Sequence, residues 1–214
     1  IHSQELVVGI NIIKEMGLIP VLGPCVKNLR GDGMHSAPVQ ERVDELHWAF
    51  GNPEISAVIC ALGGMGSAAV LPYLDYDMIK RSRKPLLGRS DITALNVGLL
   101  QHAGLISING QTPSIKVDKG ERFREEQTDS FIRTLKMMMS NETWGHEPFS
   151  FNNHIPQTVC PGRATGHVFG CNSDTFTRLI GTPHMPDVRG SILFIEDIHK
   201  SPEGVAREFL HMKL

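Results

Sequence analysis

The sequence has few cysteines, little net charge and no long apolar run, and each shortage excludes a class of protein. Its four cysteines, Cys25, Cys60, Cys160 and Cys171, form no C-x-x-C pair, which argues against a zinc ribbon, a redox dithiol or a disulfide scaffold. The formal charge of −2 gives no electrostatic support for nucleic acid or an anionic membrane as a partner. No apolar stretch approaches the roughly 20 residues of a membrane-spanning helix, and no secretory signal is visible.

Metal-binding patterns are absent as well. The ten histidines are dispersed, and none belongs to an H-E-x-x-H motif. Asp75 and Asp77 are two residues apart and would not share a face of a helix, so they do not form an acid–base pair. The sequence therefore predicts neither a metal nor a metal-dependent reaction.

Apolar patterns of helix and strand length alternate through the first half of the chain. Residues 39–50 and 91–103 have helical periodicity. Residues 56–62 are a continuous apolar run, typical of a strand buried on both faces of a parallel sheet. Shorter runs at 85–88 and 105–109 resemble further strands. This alternation predicts an α/β fold with a parallel sheet.

The composition changes in the second half of the chain. Residues 140–162 are rich in Asn, His, Pro and Gly, which indicates a linker or a loop-rich crossover. Strand-like segments follow at 164–170 and 192–195, and a last helix begins near Pro202. We therefore predict a smaller, strand-rich C-terminal domain after the first one.

The predicted domains are residues 1–140, an α/β domain with the parallel sheet, and residues 141–214, a linker with an incomplete C-terminal domain. The chain opens on a helix with no preceding strand, although a strand normally begins a parallel sheet. It closes at Leu214 inside an amphipathic helix. We expect truncation at both ends.

The segment with the strongest chemical signal is 63–67, with the sequence GGMGS. A buried strand ends, three glycines follow within four residues, and Ser67 begins a helix predicted to continue to about Ile79. A nucleophile elbow needs this order, because glycines tolerate a strained backbone and leave room around the serine oxygen. Ser67 would stand at the carboxyl end of the strand, where α/β sheets build their sites.

The same residues also fit two other interpretations. Gly64-x-Gly66-x-x-Ala69 satisfies the dinucleotide fingerprint, and Asp91 lies near the offset of the acid that binds a ribose. A tight strand-to-helix turn without chemistry would have the same composition. The local pattern alone leaves all three open.

The wider sequence resembles the LD-carboxypeptidase family of serine peptidases. The family also includes the self-immunity peptidases that inactivate microcin C-type antibiotics. The resemblance covers nearly the whole chain, and its motifs occur in the family's order: GGMGS at 63–67, LPYLDYD at 71–77, GRSDITAL at 88–95, GTP at 181–183 and ILFIED at 192–197.

The resemblance implies a Ser–His–Glu triad. Ser67 matches the nucleophile, and Glu196 matches the carboxylate that orients the histidine. Backbone amides near Gly64 and Ala68 would hold the oxyanion, and Met65 would shape the pocket wall. The family's catalytic histidine belongs to a later motif, beyond Leu214.

None of the ten histidines of this chain stands in that later context. His167, which precedes Glu196, is expected at the surface or the edge of the core. Arg89 departs from the family, which usually has an aromatic residue at this point, and this departure bears on substrate preference.

The implied activity is hydrolysis of an L,D amide bond next to a free carboxylate, with release of terminal D-alanine from muropeptide tetrapeptides. No cofactor is implied, and a cytoplasmic homodimer acting on a small peptide is expected. The chain as given would be inactive without the histidine. The alternatives are a microcin-C-type amidase acting on peptidyl or aminoacyl nucleotides and, from other classes, a dinucleotide-binding module or a non-catalytic relative.

Overall fold

A computed structural model of the protein describes residues 3–29, 31, 35–140, 157–198 and 200–213. None of the helices it describes is both long and apolar enough to cross a lipid bilayer. The α-helices are α1 (Ser3–Glu15), α2 (Pro24–Lys27), α3 (Val39–Gly51), α4 (Tyr76–Ser82), α5 (Thr93–Ala103), α6 (Glu121–Met139), α7 (Ser173–Thr177) and α8 (Pro202–Lys213). The strands are β1 (Val58–Ile59), β2 (Leu86–Gly88), β3 (Ile108–Asn109), β4 (Val168–Asn172) and β5 (Ile192–Glu196).

The first three strands form a parallel sheet in the order β1-β2-β3, which confirms the predicted fold class. Val58 pairs with Leu86, and Leu87 pairs with Ile108. The β1 strand is shorter than the predicted run at 56–62, although the Cys60 N–H still donates to the Leu87 carbonyl at 2.9 Å. The sheet is short because its strands pair over only two or three residues.

Helices cover both faces of this sheet. Consecutive strand residues point to opposite faces, and the fully buried Leu86 and Leu87 belong to two different apolar clusters. The cluster around Leu86 includes buried residues of α3, α4 and α5. The cluster around Leu87 includes Ile12 and Ile13 of α1 and Phe131 and Leu135 of α6. The result is a three-layer α/β/α arrangement.

The helix predicted from Ser67 to Ile79 is wrong as a single element. The chain forms a 3₁₀ helix at Ser67–Tyr73, and α4 begins only at Tyr76. Pro72 lies inside the first piece and has no N–H to donate, so it interrupts a helical ladder. Asp75 then caps a new helix, because its side chain accepts the Met78 N–H at 2.8 Å.

The C-terminal segment packs against the same apolar cluster as α3 and α5. The β4 and β5 strands pair in parallel, with Asn172 opposite Glu196. Cys171 of β4, Phe176 of α7 and Leu179 are buried in the cluster around Leu86. The division after residue 140 stays a prediction, because residues 141–156 lie outside the described part of the chain.

A buried lysine closes the carboxyl end of α3. The Lys84 side chain is only 8% exposed, and its ammonium donates to the carbonyls of Ala49, at 2.9 Å, and Asn52. A cation at this end also interacts favourably with the helix dipole. Burial lowers the pKa of this ammonium.

Lys84→Met is expected to lower the free energy of unfolding by about 2 kcal/mol, because two helix-end carbonyls lose a charged hydrogen-bond donor. Urea denaturation followed by circular dichroism measures the change. Lys80→Met, at an exposed position of α4, serves as the matched control. Equal midpoints for the two variants would contradict the role given to Lys84.

Candidate active site

Ser67 lies just beyond β1, where the glycine-rich turn enters the 3₁₀ helix. The residue before it, Gly66, has a φ of +88°, and an added Cβ there would lie 2.7 Å from Nε2 of His35. Position 66 therefore requires glycine on both conformational and steric grounds. Ser67 itself is only 5% exposed, whereas its neighbours Met65 and Ala68 are exposed.

The unusual backbone angles of the turn lie beside Ser67 and not at Ser67 itself. Ser67 is not among the residues with positive φ. The positive φ angles nearby belong to Gly64 (+134°), Gly66 and, across the turn, Ser90 (+59°). Ser90 is a non-glycine residue in a conformation that is uncommon for side-chain-bearing residues. Strain of this kind clusters at functional sites, and Ser90 lies against Gly63.

Asp91 accepts both hydrogen bonds that Ser67 donates. The Ser67 N–H donates to Oδ2 of Asp91 at 2.8 Å, and the Ser67 hydroxyl donates to the Asp91 carbonyl oxygen. Asp91 does not cap the α-helix that follows it. It lies inside the short 3₁₀ helix Ser90–Ile92 that precedes α5, and its carboxylate caps the helix of Ser67 instead.

The peptide unit between Gly66 and Ser67 is held from both sides. Nη1 of Arg42 donates to the Gly66 carbonyl at 3.0 Å, while Asp91 accepts the N–H of the same unit. This N–H is therefore not free to stabilise an oxyanion. Gly64 and Ala68, the donors expected from the sequence, are both exposed at the turn.

A cavity of about 530 Å³ opens beside Ser67. The glycine turn with Met65 forms one part of its lining, and Arg42 and Glu45 of α3 form another. Cys25 and Cys60 also line the cavity, but burial raises the pKa of Cys25 to about 11 and that of Cys60 to about 12. Because the thiolate is the reactive form of cysteine, Ser67 is the better candidate nucleophile.

Glu196 lies at the carboxyl end of β5, as the sequence predicted. Its Oε1 accepts a hydrogen bond from Nδ2 of Asn172 at 3.2 Å. Burial lowers the pKa of the Arg89 guanidinium, while the nearby Glu196 carboxylate acts to raise it. Burial raises the pKa of the Cys171 thiol to about 11, and the nearby Glu196 carboxylate contributes to the rise.

Ser67 and Glu196 are connected through one short segment, residues 89–93. Asp91 binds Ser67, and Oγ1 of Thr93 accepts the Asn172 N–H at 3.0 Å beside Glu196. Ser67 and Glu196 share no hydrogen bond, since both Ser67 donors go to Asp91. The structure thus links both residues to one segment, with no hydrogen bond between Ser67 and Glu196.

Two histidines bear on this site: His167 lies at the surface, and His35 lines the cavity. His167 is exposed, in agreement with the expectation of a surface position. His35 lines the cavity and lies against Gly66, a placement that the sequence did not indicate. No motif surrounds His35, so no signal in the chain could have identified it.

The geometry disfavours the dinucleotide interpretation of the glycine turn. A pyrophosphate would need free N–H groups at the start of a helix, but the Asp91 carboxylate already occupies the first N–H of the Ser67 helix. Within the described ranges, no group of three or more metal-ligating side chains occurs.

Comparison with protein-family models gives two matches. Residues 1–110 match the LD-carboxypeptidase N-terminal domain. Residues 165–214 match the LD-carboxypeptidase C-terminal domain.

Among curated proteins, the chain is 30% identical over 213 residues to the Bacillus subtilis protein named "Probable murein peptide carboxypeptidase". It is 31% identical over 227 residues to the microcin C7 self-immunity protein MccF of Escherichia coli. These matches cover 99% and 96% of this chain but only 63% and 65% of the relatives. The chain therefore spans less than two thirds of the length of these two proteins.

Solved structures show the same likeness. MccF in complex with aspartyl sulfamoyl adenosine matches with a TM-score of 0.78 at 28% identity, over 98% of this chain and 68% of that one. The muramoyltetrapeptide carboxypeptidase from Oxalobacter formigenes matches with a TM-score of 0.76 at 27% identity, over 100% of this chain and 67% of that one.

Proposed function

The chain belongs to the LD-carboxypeptidase family, and from this premise we propose that it is the nucleophile-bearing part of a serine peptidase that releases terminal D-alanine from muropeptide tetrapeptides. The observation that carries the proposal is the buried Ser67 at a glycine turn, beside a cavity of about 530 Å³. The names of the Bacillus and Oxalobacter relatives support the substrate class.

In the proposed mechanism, the Ser67 hydroxyl leaves the Asp91 carbonyl and attacks the carbonyl carbon of the L,D amide bond. A histidine takes the serine proton and returns it to the D-alanine nitrogen as the C–N bond breaks. Water then attacks the acyl-enzyme, with the same histidine as base, and the free acid and Ser67 are regenerated.

Two further groups assist this reaction. Glu196 would orient the histidine and stabilise its cationic form, a role that suits a half-buried carboxylate whose Oε1 is held by Asn172. The backbone N–H groups of Gly64 and Ala68 would stabilise the oxyanion. We assign the histidine to the family's later motif, which follows the position of Leu214.

The test is an end-point measurement of free D- and L-alanine by chiral chromatography after incubation of the full-length protein with an L-Ala-γ-D-Glu-diaminopimelate-D-Ala tetrapeptide. We expect release of one D-alanine per peptide and no release of L-alanine from the same peptide ending in L-alanine. Absence of release from the D-alanine peptide would refute the proposed activity. Equal release from both peptides would refute the stereochemistry.

A second candidate is an amidase that acts on aminoacyl nucleotides. MccF, which has this chain's fold at a TM-score of 0.78, has been solved with aspartyl sulfamoyl adenosine and with glutamyl sulfamoyl guanosine. Incubation of the full-length protein with aspartyl sulfamoyl adenosine and chromatography of the products distinguishes the two activities. Release of aspartate at a higher kcat/KM than release of D-alanine would favour this candidate.

Two expectations from the resemblance stay predictions. These are a homodimer, which light scattering of the full-length protein tests, and a cytoplasmic location, which cell fractionation tests.

A further inference from the structure

The cavity beside Ser67 has one permanently charged cation among its described lining residues, Arg42. The substrate of the proposed function ends in a carboxylate directly next to the scissile bond. We propose that Arg42 is the specificity-determining residue that binds this free carboxylate. This inference rests on the proposed function, and it identifies the group that would distinguish a carboxypeptidase from an endopeptidase.

Arg42 stands close to the reacting group. Its Nη1 donates to the Gly66 carbonyl at 3.0 Å, and Gly66 is bonded directly to Ser67. Both Arg42 and Ser67 line the cavity. A C-terminal carboxylate is separated from the scissile carbonyl carbon of its substrate by only the nitrogen and Cα of one residue, so its binding group must lie this close to the nucleophile.

Most N–H donors of the Arg42 guanidinium are not used within the described part of the chain. Arginine carries five N–H donors in a planar fork, and within the described part of the chain Arg42 makes one hydrogen bond. Its Nε is buried and has no hydrogen-bond partner. Because Nε is closed to solvent, a carboxylate in the cavity would bind the Nη side of the fork, where Nη2 and the second N–H of Nη1 can form two parallel bonds.

Among the described residues, no carboxylate of the protein forms an ion pair with Arg42. Glu45 lies one turn away on α3 and also lines the cavity, but its Oε1 accepts the Cys25 N–H at 2.8 Å. Asp91 lines the cavity as well, and its Oδ2 accepts the Ser67 N–H. Within the described part of the chain, Arg42 is therefore left to a carboxylate that comes with the substrate.

The contact with Gly66 gives Arg42 a second possible role, which is to hold the turn in shape. The two roles predict different results. A residue that only shapes the turn would affect every substrate alike. A residue that binds the carboxylate would affect peptides with a free C-terminal carboxylate and leave peptides with a C-terminal amide unchanged, because only the former meet the guanidinium as an anion.

The experiment measures binding of the tetrapeptide and of its C-terminal amide by isothermal titration calorimetry. The full-length protein carries Ser67→Ala, so that no turnover occurs, and has either Arg42, Arg42→Lys or Arg42→Met. With Arg42, the free acid is expected to bind about 100-fold more tightly than the amide, as a charge-assisted bidentate contact allows. With Arg42→Met this ratio should fall to about 1, and with Arg42→Lys it should be intermediate, since lysine keeps the charge but not the fork.

Equal binding of acid and amide by the protein with Arg42 would overturn the inference. An equal loss of affinity for both peptides in Arg42→Met would also overturn it, in favour of a role in shaping the turn. Arg42→Lys keeps the test decisive where Arg42→Met does not fold. Because binding is read without catalysis, discrimination by Arg42 together with no D-alanine release by the protein with Ser67 would refute the proposed function alone.

Discussion

Full-length protein carrying Ser67→Ala is expected to release D-alanine about 10⁴- to 10⁶-fold more slowly than the unmodified protein, because serine and its base act as a unit. The structure supports Ser67 over the other nucleophiles beside the cavity. Cys25 and Cys60 stay neutral thiols at physiological pH, since burial raises the pKa of the first to about 11 and that of the second to about 12. The measurement is kcat/KM for D-alanine release under single-turnover and steady-state conditions.

Ser36→Ala provides the matched control for this prediction. Ser36 also lines the cavity but lies outside the glycine turn, so its loss should leave the rate within about 3-fold of the unmodified protein. Circular dichroism of both variants checks that each is folded. An unchanged rate in Ser67→Ala would show that Ser67 is not the nucleophile. The role proposed for Glu196 in a Ser–His–Glu triad would then also be refuted.

The 214-residue chain alone is expected to be at least about 10⁴-fold less active than the full-length protein, because loss of a triad base removes most of the catalysis. In this chain, Asp91 accepts both hydrogen bonds that Ser67 donates, and among the described residues no histidine accepts the hydroxyl proton. Side-by-side assays of the two proteins at equal concentration measure the difference. Restoring the longer C-terminal sequence should restore activity.

Strong turnover by the 214-residue chain would contradict this prediction and require a base within it. His35 would be the first histidine to test, since it lines the cavity and lies against Gly66. His35→Gln should then abolish the activity. His167→Gln is the matched comparison, because His167 is exposed.

The fold was predictable because its signals are local. The apolar runs at 85–88 and 105–109 predicted strands, and the helical pattern at 39–50 agrees with α3 at Val39–Gly51. Periodicity failed at Pro72, where the apolar pattern continues but the missing N–H interrupts the helix. Most predicted helices and strands are present in the structure. The apolar pattern did not predict the residues at which they begin and end.

The site was predictable only as far as its residues form motifs. The serine at a glycine turn and the carboxylate at the end of β5 were both identified from the sequence. The roles of Asp91 and Arg42 were not, because each acts on a residue 24 positions away, Asp91 on Ser67 and Arg42 on Gly66. Aspartate favours helix N-termini, but which helix Asp91 caps depends on tertiary packing.

The segment 89–93 has a consequence for how this protein tolerates change in length. Its alternate residues each have a different neighbour: Arg89 lies near Glu196, Asp91 binds Ser67 and Thr93 binds Asn172. Inserting or deleting one residue between Arg89 and Thr93 would shift the residues on one side of the change relative to those on the other. A single-codon insertion or deletion would therefore break the link between the nucleophile and the carboxylate even though every partner residue is unchanged.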